Sequence, residues 1–332
     1  MARKNVYNIF QKEEYSEDIN KHNKKVIEEY KLELKAANKA DTTILQYIND
    51  LKIFAFYVYE NCNNTEFYNV TKKQVRNFML KMQDKDVSPA RLNRVLSTLR
   101  TFYSFAIDDE DYEDFYINNP VEKIKGLKVQ KVRDIEFLTR EEIDTLYDYL
   151  MKEHLYQDAL LLALLIDTAG RRNEIYQINK SSIKPDGVFT NFVVGKGGKK
   201  FELMYNDLTR KTFKAYLKQR GRDKEEFLWY KKERNGKVKE VPIGTMYSWV
   251  KRWNKYLENI TGKEYSFNIH SFRHTTLELL STGNHYICDK NDGQKFNLEV
   301  LQALANHNDV STTSSYLKEK KKDVLLQAFM PK

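Results

Sequence analysis

The chain has 332 residues, of which 41% are hydrophobic and 31% charged, and 56 basic against 47 acidic side chains leave a net charge of +9. That length predicts two domains, and the positive excess favours a polyanionic partner without identifying one, because many soluble proteins carry such a balance. The longest aliphatic run, ALLLALLI at 159–166, falls short of the roughly 20 residues a membrane span needs, and no apolar signal core precedes the acidic N-terminal stretch.

Two cysteines, Cys62 and Cys288, provide neither a disulfide framework nor a zinc ligand set, which predicts a protein of the reducing cytoplasm. The first region reads as helices. DTTILQYINDLKIFAFYVYE (41–60) predicts one that starts at an Asp41 or Thr42 N-cap and buries Ile44, Leu45, Ile48, Leu51, Ala55 and Val58. TKKQVRNFMLKM repeats the spacing with Val75, Phe78, Met79 and Met82. SPARLNRVLSTLRTFYSFAI opens with Ser88 as cap and Pro89 at the first helical position. It buries Leu92, Val95, Leu96, Leu99, Phe102 and Tyr103, while Arg91, Arg94, Thr98 and Thr101 form a basic and hydroxyl side. Such a side is usually just solvated, but it also suits phosphates.

The stretch NNPVEKIKGLKVQKVRDIEF (118–137) loses the helical period at Pro120 and Gly126 and carries Lys123, Lys125, Lys128, Lys131 and Arg133. It reads as an extended basic linker. A second domain opens beyond it at LTREEIDTLYDYL, with Thr139 and Glu142 spaced as a capping box and Leu138 and Ile143 as a hydrophobic staple. One hairpin is expected, GVFTNFVV and KKFELMY around the glycine-rich GKGG turn at 195–198. Further helices are expected around 207–219, 243–259, 271–281, 298–305 and 320–330.

Four stretches of the second domain could carry chemistry. In DTAGRRNEIYQI, Arg171 and Glu174 share a helix face, as a plain surface ion pair also would. Lys196 lies at the hairpin tip; the turn lacks the GxxxxGK[ST] pattern and precedes a strand, so it is not a nucleotide loop. In NIHSFRHTTLELL, His270 and His274 have zinc-helix spacing, but no glutamate follows His270 and no third ligand is evident. His270 and Arg273 would instead present an imidazole and a guanidinium together. In HNDVSTTSSYLKEKKK, His307 stands nine residues before Tyr316; singly, each reads as a packing or polar group.

Their order along the chain, R…K…HxxR…H…Y, resembles the tyrosine recombinase (phage integrase) family of the simple, Xer-like two-domain type. TAGRRNE matches the family's TGxRxxE box, HSFRH its HxLRH box and ANHNDVSTTSSY its LGHxxxxTTxxY box. The resemblance covers roughly residues 25 to 325. Three departures stand out. Ala169-Gly170 replaces the usual Gly-Leu, with Arg172 as an added cation; Asn306 replaces a glycine; and STGNHYICDKNDGQKFNLEV makes an unusually long step from Arg273 to His307.

The resemblance implies a mainly α, two-domain fold. An extension (1–24) precedes a helical, SAM-like core-binding domain (25–119). A basic linker (120–137) leads to an α+β catalytic domain with a small antiparallel sheet (138–318), and a tail helix (319–332) follows. Together the domains would form a C-shaped clamp on DNA, with Arg91, Arg94, Thr98, Lys123, Lys125 and Lys128 as candidate DNA contacts. It implies Tyr316 as nucleophile, Arg171 and Arg273 as phosphate clamps, and His270 as base. Lys196 would be the acid, His307 a partner at the phosphate, and Glu174 the support of an arginine. No metal or nucleotide cofactor is implied. The partners would be double-stranded DNA with an inverted-repeat core site and three further protomers in a tetramer, the tail of each docking on a neighbour. A mobile-element recombinase is the favoured role. A Xer-like chromosome-dimer resolvase is the nearer alternative, and a catalytically idle DNA-binding protein on the same scaffold the more distant one.

Overall fold

The computed structural model of the chain describes residues 18–128 and 136–306. Contacts divide the chain into two units, Met1–Val132 and Arg133–Lys332, each with its own apolar core.

Among the described residues, the first unit contains four α-helices: α1 (Lys21–Ala36), α2 (Asp41–Asn61), α3 (Lys72–Gln83) and α4 (Pro89–Asp108). Local chemistry fixes three of the starts. The Asn20 side chain accepts from the His22 backbone N–H, Thr71 and Gln74 close a reciprocal capping box, and Ser88 caps α4 ahead of Pro89. Each satisfies a backbone donor that the first helical turn leaves open. The α2 start differs from expectation, because Asp41 is already helical and Ala40 precedes it without a side-chain cap. An acidic first residue still complements the helix dipole. Leu45 is 61% exposed, outside the buried stripe expected for it. The core is aromatic-rich, with Phe54, Phe67, Phe78, Phe102 and Tyr103 fully enclosed. Each contributes roughly 2–3 kcal/mol by area removed from water.

Two further expectations for this unit change. Thr98 is fully buried and donates to the Asp50 carboxylate at 3.1 Å, so it cannot reach a DNA phosphate. Arg91 and Arg94 also pair with Asp50, and Thr101 accepts from the Tyr30 hydroxyl at 3.0 Å. The polar side of α4 is therefore largely spent on an internal carboxylate from α2. The first part of the expected linker is likewise part of the core, because Val121 and Ile124 are buried. Asn93 brackets Leu127 with both ends of its amide, at 2.7 and 2.8 Å. A Cβ on Gly126 would meet Asn93 Oδ1 at 2.8 Å, so the glycine permits that approach. Lys123, Lys125 and Lys128 remain exposed; Lys131 and Arg133 lie outside the described residues.

The second unit starts with α5 (Arg140–Lys152), capped by Thr139 and Glu142 as the sequence indicates. The aliphatic run forms α6 (Tyr156–Thr168), enclosed on every side, which is why it shows no amphipathic period. After it come α7 (Arg172–Tyr176), α8 (Asp207–Arg220), α9 (Thr245–Thr261), α10 (Ile269–Thr282), α11 (Tyr286–Asp289) and α12 (Leu298–Ala305). Asp167 reaches from α6 to accept from the Asn206 and Thr209 backbone N–H groups, each at 3.0 Å, and so caps α8. The expected hairpin forms with short strands, β1 (Val193–Val194) antiparallel to β2 (Lys200–Phe201), in register Val193↔Phe201. Gly197 and Gly198 both take φ +78° in its turn, a conformation open to glycine at little cost. A second hairpin, β3 (Tyr230–Lys232) with β4 (Val238–Glu240), was not expected. Its signal was the Asn235-Gly236 turn, with Gly236 at φ +80°.

Candidate active site

The site grows from the end of α6. Ala169 takes a left-handed conformation, φ 49° and ψ 19°, and terminates the helix. Gly170 then passes so close to its surroundings that a Cβ there would lie 2.8 Å from Thr168 Oγ1 and 3.0 Å from Ile175 Cγ1. Arg171 follows as the N-cap of α7, its side chain bonded to Glu174 at 2.9 Å, while its backbone N–H donates to the other Glu174 oxygen at 2.7 Å. Glu174 is 2% exposed, so this carboxylate is an internal strut for a partly exposed guanidinium, not half of a surface pair. Arg172 turns elsewhere, stacking over the Tyr247 ring at 4.2 Å. That separates the two adjacent arginines, Arg171 held by Glu174 and Arg172 by Tyr247.

The hairpin is fastened to the same short helix. Gln177, at the end of α7, donates to the Val194 carbonyl at 3.0 Å and accepts from the Val194 N–H at 2.9 Å. A Cβ on Gly195 would lie 3.2 Å from Glu174 Oε1. Lys196, the next residue, is exposed at the tip. Sequence reading missed Gln177 as the anchor, although it continues the RxxExxQ spacing from Arg171.

Arg273 comes from α10 and is 1% exposed. It donates through Nη1 to the Ala169 carbonyl at 2.6 Å and through Nη2 to the Ala305 carbonyl at the end of α12. A guanidinium has five donors in a plane, and two fixed carbonyls set that plane. His270 lies one turn earlier on α10, where Asn268 caps its backbone N–H at 2.9 Å. Lost hydration first, then the charges of His274, Arg273 and Arg171, push its pKa down to about 4. These electrostatic neighbours bring Arg171, His270 and Arg273 into one cationic locality. The His270 and His274 rings meet edge to face at 5.2 Å. Among the described residues, no group of three or more His, Cys, Asp or Glu side chains is arranged to hold a metal ion.

Asn306, at φ 49°, ends α12 in the same left-handed region as Ala169. Asparagine is the best non-glycine residue there, so the substitution keeps the turn. His307 and Tyr316, together with the expected helix at 320–330, lie outside the described residues.

The helical first unit is followed by an α+β second unit that carries this candidate site. The phage integrase family profile matches residues 136–323 and the phage integrase N-terminal SAM-like domain matches residues 27–110. The chain belongs to the phage integrase family and is a tyrosine recombinase. It is 26% identical over 285 residues to a tyrosine recombinase of Pseudothermotoga lettingae, covering 84% of this chain and 87% of that protein. It is 28% identical over 303 residues to tyrosine recombinase XerC of Oceanobacillus iheyensis, covering 88% and 90%. Among solved structures, a lambda integrase dimer bound to a COC′ core site shares the fold at a TM-score of 0.66. Sequence identity there is 16%, over 90% of this chain and 77% of that one. Among the described residues, no helix is long and apolar enough to cross a membrane.

Proposed function

We propose that this recombinase binds double-stranded DNA at an inverted-repeat core site and moves a mobile genetic element, with Tyr316 as nucleophile. The observation that carries the chemistry is the pair of positioned arginines, Arg171 held by Glu174 and Arg273 by two carbonyls, with His270 one turn from Arg273. Attack at phosphorus places negative charge on the non-bridging oxygens, which Arg171 and Arg273 answer with charge-assisted hydrogen bonds. Tyr316 gives its proton to His270 as its oxygen bonds to phosphorus. The P–O5′ bond breaks, and the departing oxygen takes a proton from Lys196, leaving a 3′-phosphotyrosyl link. Attack by a 5′ hydroxyl from another strand reverses the step and leads through a Holliday junction. His270 suits the role because its low pKa leaves it unprotonated near neutral pH. The phosphate's negative charge then raises its basicity as DNA binds. His307 bonds the phosphate or places the tyrosine, and Glu174 holds Arg171.

Exposed Lys123, Lys125 and Lys128, with the outward parts of Arg91 and Arg94, meet backbone phosphates, so binding weakens steeply with salt. Four protomers assemble on two duplexes in the cytoplasm. The tail stripe Val324, Leu325, Leu326 and Phe329 docks on a neighbouring protomer. Support for that contact is an apolar groove of about 530 Å³ on the second unit, lined in part by Phe189, Met204, Phe296, Val300 and Leu304. The long segment before His307 favours the mobile-element role. The XerC relative favours the second reading, a chromosome-dimer resolvase with the same chemistry.

A nicked suicide duplex tests the core proposal. Wild type should trap a covalent adduct and Tyr316→Phe should not. No adduct from wild type on its cognate site overturns the reading, and an adduct from Tyr316→Phe overturns the choice of nucleophile. Deleting residues 323–332 should impair tetramer assembly more than single-site binding; equal loss of both refutes the tail contact.

A further inference from the structure

The long segment between Arg273 and His307 is folded, and its anchors converge on the backbone that holds Arg273. His285 is 1% exposed and donates through Nε2 to the Ile166 carbonyl at 3.0 Å, while its Nδ1 accepts from the Ile287 N–H at 3.2 Å. The ring is therefore the neutral Nε2–H tautomer, bonded to the last turn of α6 three residues before Ala169. Cys288, fully buried, shares a small apolar cluster with Ala169, Leu277, Leu280, Leu301 and Ala305. Ala169 and Ala305 are the two residues whose carbonyls accept from Arg273.

The outer side of the segment is clamped as well. Arg140 of α5 pairs with Asp289 and stacks over the Tyr286 ring at 4.6 Å. Tyr286 donates to Asp144 at 2.6 Å. Gly283 approaches the Gly293 carbonyl so closely that a Cβ would lie 2.7 Å from it, and the Phe296 N–H donates to the Leu280 carbonyl at 3.1 Å. The chain then enters α12, which ends at Ala305. One carbonyl of the Arg273 cradle thus comes from the end of α6, whose last turn His285 bonds, and the other from the helix the segment delivers.

We propose that residues 283–297 are a brace for the Arg273 guanidinium, with His285 and Cys288 as its positioning residues. The segment needs no contact with DNA to act. It fixes the distance between the Ala169 and Ala305 carbonyls, and so the plane in which Arg273 meets a phosphate. Without it, the ends of α6 and α12 lose the His285 bond and the Cys288 packing between them, and the guanidinium can tilt. Small misplacements of a group that stabilises transition-state charge are costly in rate. The rate argument rests on the catalytic role proposed for Arg273; the cradle geometry does not.

Two measurements on the full chain separate those layers. The first is hydrogen exchange of the free protein at 298–306. His285→Leu should speed exchange there at least tenfold, and His285→Gln, whose amide can still donate to Ile166, should stay within threefold of wild type. Equal exchange in all three proteins overturns the brace, whatever the enzyme's chemistry. The second is single-turnover cleavage of a nicked duplex at saturating protein. His285→Leu should lose at least tenfold in rate with DNA affinity within twofold, and His285→Gln should recover most of the rate. A loss confined to affinity, or no rescue by glutamine, overturns the positioning role. If His285→Leu does not fold, Asp289→Ala replaces it, because that change removes the acceptor of the exposed Arg140 clamp. It should raise exchange at 298–306 at least threefold, and no change overturns the brace. Absence of cleavage in wild type with the exchange result intact would sink the proposed chemistry and leave the brace standing.

Discussion

Asp50 gives a direct test of how the first unit balances burial against charge. Its carboxylate is fully buried between Arg91, Arg94 and Thr98. Lost hydration raises its pKa from 3.8 to about 6, against the opposing pull of Arg94 and Thr98. A raised carboxylate pKa means that the folded state binds a proton more tightly than the unfolded chain does. Between pH 6 and 3.8, the folded protein therefore takes up the proton first, and this site becomes more stabilising as pH falls. At about 1.4 kcal/mol per pH unit, the displacement is worth up to about 3 kcal/mol across that window, less whatever the close Arg91 guanidinium takes back. The sign is the reverse of that for an exposed, salt-bridged aspartate. It expresses the general result that desolvation can exceed the attraction inside a buried pair.

The comparison is wild type against Asp50→Asn, stepped from pH 7.5 to 3.5, so that all other titrations cancel. All three tryptophans, Trp229, Trp249 and Trp253, belong to the second unit, and their fluorescence would not follow this site. Hydrogen exchange of peptides from α2 and α4 reads the local opening free energy instead. Wild type should gain stability relative to the variant between pH 6 and 3.8, by up to about 3 kcal/mol. Parallel profiles would show that burial does not dominate. A relative loss in wild type on acidification would show that the arginines do, and either outcome refutes the reasoning.

At the site, Gly170→Ala should cost roughly 1–3 kcal/mol by overpacking against Thr168 and Ile175, measured by urea unfolding followed with tryptophan fluorescence. Ala169→Gly should stay within about 1 kcal/mol of wild type. Relief of the left-handed alanine is offset by a lost buried methyl and a freer unfolded chain. Glu174→Gln keeps an acceptor for the Arg171 N–H but removes the charge. Single-turnover cleavage should fall at least tenfold while DNA affinity changes only a few-fold, and the opposite split would refute a strut role. Because His270 is held near pKa 4, kcat/KM should not fall on the acid side between pH 5.5 and 7. An acid limb near 6.5, removed by His270→Gln, would contradict the assignment.

Features written within a few residues of each other were legible in the sequence. Ser88 ahead of Pro89 and Thr139 with Glu142 each satisfy donors of one helix turn, whereas the equally local box of Thr71 with Gln74 was passed over. The Arg171–Glu174 pair was legible for the same reason, although its burial was not, because burial depends on what packs over it. The solvated face expected for α4 failed on one residue, since Asp50 lies 44 positions before Arg94 and no local pattern joins them. The second hairpin was available from Asn235-Gly236 and was passed over because its flanking residues, YKK and VKE, are mostly charged. The segment after Arg273 looked like an unassigned insertion because its anchors on α5 lie 142 and 149 residues away in sequence.

Ala169, Asn306 and the long segment, one from each departure from the family pattern, have one physical root. Ala169 and Asn306 both occupy left-handed helix ends, and the carbonyls that receive Arg273 belong to Ala169 itself and to Ala305, just before Asn306. A helix that ends in this conformation turns its last carbonyls out of the helical ladder, leaving them as acceptors for a partner from elsewhere. Glycine is the least costly residue for that geometry, but the geometry is what the guanidinium needs. This chain keeps it with an alanine and an asparagine, at a conformational cost of about 1 kcal/mol or more for the alanine. The apolar cluster beneath both ends, with Cys288 contributed by the long segment, is what can hold such a strained end in place. The altered boxes and the inserted segment are thus parts of one arrangement, in which packing does the work that a glycine would otherwise do.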